Sequence, residues 1–359
     1  MVSKSMGMAI NIFPVIKILI ISAISFIVAL FSTPILTHFL YKYKMGKGIR
    51  DEGTTPIFTS LHKKKEGTPT MGGILIWVTV TIIIVGIFLL TKLFGPDTIF
   101  SDFTFLTRKQ TLLPLGVLLF AAVIGLIDDF MGINRMGKAG KGLRMRERLI
   151  IYTAISVVAA YWFYFKLDWD LLHVPFLGNF NIGLWYIPVF IFTIVASAFS
   201  TNETDGLDGL AGGILLTAFA AFAVICFHQG KIELATFCGA IVGALLAFLW
   251  FNIHPARFFM GDTGSMSLGI TLGVIAMLTN SLFFLPFIGF VMVIESLSVI
   301  IQLISKKIRH KKIFLSTPIH HHFEAKGWPE TKITMRFWII TGVATVIGLI
   351  LFFIDANLF

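Results

Sequence analysis

The chain has 359 residues, 56% hydrophobic and only 13% charged, with a formal charge of +10 at neutral pH. A soluble domain is nearer about 25% charged, so an ordinary soluble protein is excluded, and a mean hydropathy of +0.88 points to a polytopic membrane protein. The two cysteines, Cys226 and Cys238, lie in apolar runs and exclude a disulfide framework or a cysteine-based zinc site.

Apolar runs close to the roughly 20 residues needed to cross a bilayer predict helices over 18–41, 72–92, 111–130, 147–165, 183–201, 208–228, 231–250, 266–280, 281–304 and 335–354. The first run is long enough to stay as a span rather than be cleaved as a signal. Leu278-Thr279-Asn280-Ser281 is a thin separator between the eighth and ninth. No internal repeat or separate soluble domain is evident, so residues 1–359 read as one transmembrane domain. The loops after spans one, three, seven and nine carry 21 lysines and arginines, against seven for the opposite face and its span edges. The positive-inside rule puts those loops in the cytoplasm and both termini outside. The basic residues are scattered among apolar spans, which excludes nucleic-acid binding and fits loops facing anionic lipid. On the outer side, 166–182 alternates apolar and polar residues around Gly178-Asn179 and predicts a small hairpin.

Five unusual polar stretches fall on the cytoplasmic side: 63–73, 124–130, 201–210, 251–265 and 316–323. Asp128-Asp129 end the third span, where acids oppose the helix dipole; they mark either a helix end or a cavity holding a cation or base. Asp205 and Asp208 stand three apart at the start of the sixth span, a spacing that shares one helix face, although capping by Asn202, Thr204 or Asp205 uses the same residues. Asp262, in Met260-Gly261-Asp262-Thr263-Gly264-Ser265, precedes another helix start, suited to a turn and cap or to a phosphate. Acids gathered this way repel unless cations neutralise them, and oxygen ligands of this kind suit Mg²⁺ shared with substrate phosphates. Lys65, Arg146 and Arg148 offer charge against a diphosphate. His320-His321-His322 fit zinc poorly, because adjacent residues of an extended chain point to opposite sides. Glu295 and Gln302 share a face of span nine, directed at a cavity or at interhelical hydrogen bonds.

Thr68-Pro69-Thr70-Met71-Gly72-Gly73, Asp128-Asp129, Asn202 with Thr204-Asp205-Gly206-Leu207-Asp208-Gly209, Asn252, Met260-Gly261-Asp262 with Gly264-Ser265, and Pro318 with His320-His321-His322 carry a resemblance in order and spacing over nearly the whole chain. Together they resemble the phospho-N-acetylmuramoyl-pentapeptide-transferase family, a branch of the polyprenyl-phosphate N-acetylhexosamine-1-phosphate transferases (glycosyltransferase family 4). The resemblance implies an all-α polytopic integral membrane protein of about ten transmembrane helices, with both termini extracytoplasmic and the active site at the cytoplasmic face. It implies transfer of phospho-MurNAc-pentapeptide from UDP-MurNAc-pentapeptide to undecaprenyl phosphate, giving lipid I and UMP with Mg²⁺, in the bacterial inner membrane during peptidoglycan synthesis. Asp262 is then the Mg²⁺ ligand. Asp128 and Asp129 act near the lipid phosphate, with Asp128 the base. Lys65, Thr70, Asn202, Asp205, Gly206, Leu207, Asp208, Asn252, Phe259, Ser265, Gln302 and His321 line the nucleoside-diphosphate side, with His320 and His322 close by and a basic role at Arg148. Bilayer lipids surround the chain, and a homodimer is the implied assembly.

Three positions depart from the family pattern. Glu203 replaces a leucine, Phe199 stands for an asparagine, and the glycine-rich loop from Met131 to Gly142 is longer, with Gly132 where lysine is usual. A sister transferase using UDP-GlcNAc or another UDP-HexNAc is the nearest alternative reading, and the triple histidine argues against it. A cation transporter needs acids near the bilayer midplane, whereas these, apart from Glu295, sit at one interface. A non-catalytic scaffold does not need five aspartates on one face.

Overall fold

A computed structural model describes residues 12–46, 65, 67–136 and 142–358. Lys63 and Lys64 of the 63–73 stretch, residues 137–141 of the glycine-rich loop and the N-terminal end with Lys4 lie outside the described residues. The helices are α1 (Phe13–Lys42), α2 (Ile74–Phe94), the short α3 (Ile99–Phe103), α4 (Leu112–Ile133), α5 (Met145–Lys166), α6 (Tyr186–Thr204), α7 (Leu210–His228), α8 (Ile232–Asn252), α9 (Gly261–Leu278), α10 (Leu285–Ile288), α11 (Phe290–Ile308), α12 (Ile319–Ala325) and α13 (Glu330–Ala356). Among the described residues, nine helices are long and apolar enough to cross a membrane.

The ninth expected span is not one helix over 281–304. Leu282–Ile288 and Phe290–Ile308 meet at an angle of 87°. Gly289 lies between them as the N-terminal cap residue of α11. Glycine costs about 1 kcal/mol relative to alanine inside a helix, so the break falls where continuation is least favoured. The eighth span also differs from expectation. It begins at Gly261 rather than 266, so Gly261-Asp262-Thr263-Gly264-Ser265 form the first turn of α9 instead of a preceding loop.

Helix starts follow local chemistry. Pro14 stands in the first turn of α1, where a missing N–H is harmless. At α5, Glu147 Oε2 accepts the N–H of the N-cap residue Arg144 at 2.7 Å, the backward half of a capping box.

Every residue of α9 is buried, although α9 is the least apolar of the spans. It packs between α4 and α6, while α8 packs against α1 and α7. The outer helix α1 shows the opposite balance, with Phe31, Ile35 and Phe39 exposed to the lipid. In hydrocarbon there is no hydrophobic drive to bury leucine, so close packing of small residues and hydrogen bonds select the central helix. Gly125 of α4 sits so close to α9 that an added Cβ would collide with the Asp262 carbonyl and the Thr263 Cα.

Beside the C-terminal end of α9, where Asn280 Oδ1 accepts the His173 N–H at 3.0 Å, β1 (Leu171–Val174) and β2 (Gly178–Asn181) form the expected antiparallel hairpin. Its turn is 175–177, and Gly178-Asn179 open the second strand instead. Asp355, near the end of α13, accepts the Phe176 N–H at 2.7 Å, and its other oxygen lies 2.5 Å from His173 Nε2.

Gly125→Ala is expected to destabilise the fold by about 1–3 kcal/mol through overpacking. Gly116→Ala, on the same helix with open space around it, should be neutral or stabilising by up to about 1 kcal/mol. Thermal unfolding of both variants in one detergent checks the difference.

Candidate functional site

Four helix ends meet around one guanidinium. Arg148 stands in the first turn of α5. Its Nε donates to Asp128 Oδ2 at 2.8 Å, Nη1 to Asn202 Oδ1 at 3.0 Å and Nη2 to Asp262 Oδ2 at 3.0 Å. Asn202 Nδ2 donates to Asp262 Oδ1 at 2.8 Å and to Ser265 Oγ at 3.0 Å. The Leu143 N–H donates to Asp128 Oδ1 at 2.7 Å. The side chains of Asp128, Asp129 and Asp262 are almost fully buried, a cost that only pairing makes tolerable.

Asp129 serves the start of α9. Its Oδ1 accepts the Asp262 N–H at 3.1 Å and its Oδ2 the Thr263 N–H at 3.0 Å. Asp205 Oδ2 accepts the Gly261 N–H at 3.1 Å. The first N–H groups of an α-helix have no internal partner, and here three of them meet carboxylates from elsewhere in the chain. Thr70, also buried, abuts Gly261.

Asp205 and Asp208 do not share a helix face. Helix α6 ends at Thr204 and α7 begins at Leu210, so both acids lie in the intervening turn and point to different partners. Asp208 Oδ1 accepts from Lys65 Nζ at 2.6 Å, and its Oδ2 lies 2.8 Å from His254 Nδ1 and 3.2 Å from the Ala256 N–H. Lys65 also reaches Glu330 Oε1 at 2.5 Å and lies 5.6 Å from the centre of the Phe259 ring. Burial pushes the Asp208 carboxyl up, but the Lys65 charge and the hydrogen bonds from Lys65, Ala256 and His254 outweigh it and hold the group below its ordinary value. Asp208, His254 and Glu330 are close enough to share a metal ion. The Lys65 ammonium, bonded to both acids, already supplies a positive charge there. Asn252 pins the turn, accepting the Gly209 N–H at 3.0 Å and donating to the Phe258 carbonyl at 2.8 Å. Leu207 is buried in the same turn.

The histidines are not on an extended chain. Residues 319–325 form α12, and each imidazole has its own surroundings. His320 is fully buried, with Nδ1 3.0 Å from Glu295 Oε2. Its Nε2 faces Gly206, where a Cβ would collide with it, and has no hydrogen-bond partner among the described residues. Burial favours neutral His320, but Glu295, and then Glu324 and Glu203, outweigh it and raise its pKa. His321 Nδ1 lies 2.6 Å from Glu324 Oε2, and His322 Nδ1 accepts the Leu315 N–H at 3.1 Å. For His322, slight burial and then Lys326 lower the pKa. Divergent partners account for the absence of a three-histidine chelate.

Gln302 does not share Glu295's target. It clamps the loop before α12, accepting from Ile313 and Phe314 at 2.9 and 3.0 Å and donating to the Phe314 carbonyl at 2.9 Å. Arg146 is exposed and outside the carboxylate cluster, and Phe199 is buried on α6. Sequence reasoning missed His254 and Glu330. Glu330 had a local signal, an acid directly after Trp328-Pro329 at a helix start; His254 had only its place in the polar stretch 251–265.

Comparison with known proteins gives the family. The glycosyl transferase family 4 model matches residues 111–280, and phospho-N-acetylmuramoyl-pentapeptide-transferase signature 1 matches residues 65–76. Curated relatives carry that enzyme name. One from Chloroflexus aggregans is 39% identical, covering 93% of this chain and 89% of its own length. One from Geobacillus sp. is 38% identical over 91% and 95%, and one from Clostridium novyi 39% over 90% and 94%. On those matches across almost its full length, the chain belongs to the phospho-N-acetylmuramoyl-pentapeptide-transferase family, and it is a transferase built into a membrane.

Proposed function

We propose that the chain transfers phospho-MurNAc-pentapeptide from UDP-MurNAc-pentapeptide to undecaprenyl phosphate at the cytoplasmic face of the bacterial inner membrane, releasing UMP. The observation that carries this reading is the convergence of Asp128, Asn202 and Asp262 on one positive charge, the Arg148 guanidinium. Asp128 and Asp262 together outweigh that guanidinium, so two anionic phosphates can meet there only with a further cation. The donor set around Arg148 is made of carboxylate and amide oxygens, which fits a hard divalent cation. Asp262, with Asp128 beside it, is the residue to hold Mg²⁺. Bound there, Mg²⁺ supplies neutralisation of the diphosphate oxygens.

The remaining work belongs to the chain. A lipid phosphate oxygen attacks the sugar-bearing phosphorus and the bond to UMP breaks, so one phosphoanhydride replaces another. Asp128 is the base that keeps the attacking phosphate ionised. Asp129 positions Asp262 through the start of α9. Lys65, Phe259, Asp208 and Asn252 hold the nucleoside end, with Thr70, Asp205, Gly206, Leu207 and Ser265 shaping the space between. His320, His321 and His322 close over the nucleotide, and Gln302 holds their loop.

The purified chain should release UMP only with undecaprenyl phosphate, UDP-MurNAc-pentapeptide and Mg²⁺ together, and EDTA should stop it. Turnover of UDP-GlcNAc alone would refute the assignment. Asp262→Asn should lower the rate by about a hundredfold or more. Single alanine substitutions at His320, His321 and His322 should weaken turnover while leaving the Mg²⁺ titration unchanged. Arg148→Lys keeps the charge but loses the fork that reaches three acceptors, so kcat should fall roughly ten- to a hundredfold. An unchanged kcat for that variant would remove Arg148 from the site.

A further inference from the structure

A cavity of about 620 Å³ with cationic side chains in its lining lies apart from the residues of the carboxylate cluster. Its lining includes Thr37, His38, Tyr41, Lys42, Phe251 and Arg257, from the last turns of α1, the end of α8 and the segment that follows it. The α1 positions are spaced three to four apart and so share one helix face. Three of these side chains are cationic or can become so, and none of the three has a carboxylate partner among the described residues. The Arg257 guanidinium lies 5.5 Å from the centre of the Phe251 ring, which supports it from one side. The hydroxyls of Thr37 and Tyr41 already donate to backbone carbonyls, Tyr41 to that of Arg257 at 2.8 Å. The charged groups are therefore the donors left for a ligand.

The surroundings identify the ligand's other half. Phe31, Ile35 and Phe39 continue along α1 as exposed apolar side chains, so the cavity opens toward acyl chains. It lies at the end of α1 that the charge distribution assigns to the cytoplasm, where the leaflet is anionic. We propose that it binds the phosphate headgroup of an anionic bilayer phospholipid. None of the residues of the carboxylate cluster lines it, which separates it from a site for the reacting lipid. The Arg257 backbone is held at both ends, its N–H by the Phe251 carbonyl at 2.8 Å and its carbonyl by Tyr41. Beyond it, Phe259 and Met260 carbonyls accept the Gly72 and Gly73 N–H groups at 2.8 Å. A phosphate bridging Lys42 and Arg257 ties α1 to the segment that leads into α9.

The test uses the full chain in a neutral detergent, titrated with phosphatidylglycerol or phosphatidylcholine and read by native mass spectrometry. In the Lys42→Gln, Arg257→Gln double variant, phosphatidylglycerol affinity should fall about tenfold or more, at roughly one factor of five per lost cation. Phosphatidylcholine binding should not change, which also reports that the variant is folded. The charge-keeping pair Lys42→Arg, Arg257→Lys should restore the preference. Inorganic phosphate and undecaprenyl phosphate should not displace the bound phosphatidylglycerol. Equal phosphatidylglycerol affinity in wild type and the glutamine variant overturns the proposal, as does failure of the charge-keeping pair to restore it. Displacement by inorganic phosphate would mean a free-anion site, and displacement by undecaprenyl phosphate a site for the reacting lipid; either result also overturns it.

Discussion

The start of α9 is the constraint on which the rest depends. Its first three N–H groups point into a buried site and are accepted by Asp205 and Asp129, from the turn after α6 and the end of α4. A helix N-terminus carries partial positive charge, so it neutralises acids that hydrocarbon would otherwise reject. The same turn carries Asp262, which is thereby fixed relative to Asp128 and Arg148. Capping and site-building are one interaction here. That is why glycines crowd the junction: Gly125 and Gly264 let three chain segments meet at backbone distance.

Polarity is distributed inside out relative to a soluble protein. The least apolar span is wholly enclosed, and the more apolar α1 is largely exposed. Within the enclosed bundle, Ser197 and Thr263 donate to carbonyls of neighbouring helices. Polar side chains add specificity there because lipid offers no competing partner.

The chemistry was more legible in the sequence than its geometry. The gathering of acids and histidines on one face followed from lysine and arginine counts, and the contacts around Arg148 and Lys65 bring together Asp128, Asn202, Asp262 and Asp208. The errors arose where a local rule assumed the wrong backbone. Asp205 and Asp208 were given a helix that starts only after them, and the histidines an extended chain that is a short helix. Asp128 and Asp129, adjacent in sequence, look alike in composition. One meets the guanidinium and the other caps α9, a division that depends on helices far away in the chain. His254 could not be found by spacing, because Asp208 and Glu330 reach it from two separate regions of the chain.

Helix α13 is fastened at both extremes. At one end Glu330 joins Lys65 and accepts the Asp208 N–H at 2.6 Å, and Trp338 Nε1 donates to the Gly209 carbonyl at 3.2 Å. At the other, Asp355 holds the hairpin through His173 and Phe176. A stiff rod anchored in this way cannot tilt or slide without breaking one set of bonds. The hairpin, beside the far end of α9 from Asp262, thus acts as a guy-line on the helix that holds the turn carrying Asp205 and Asp208.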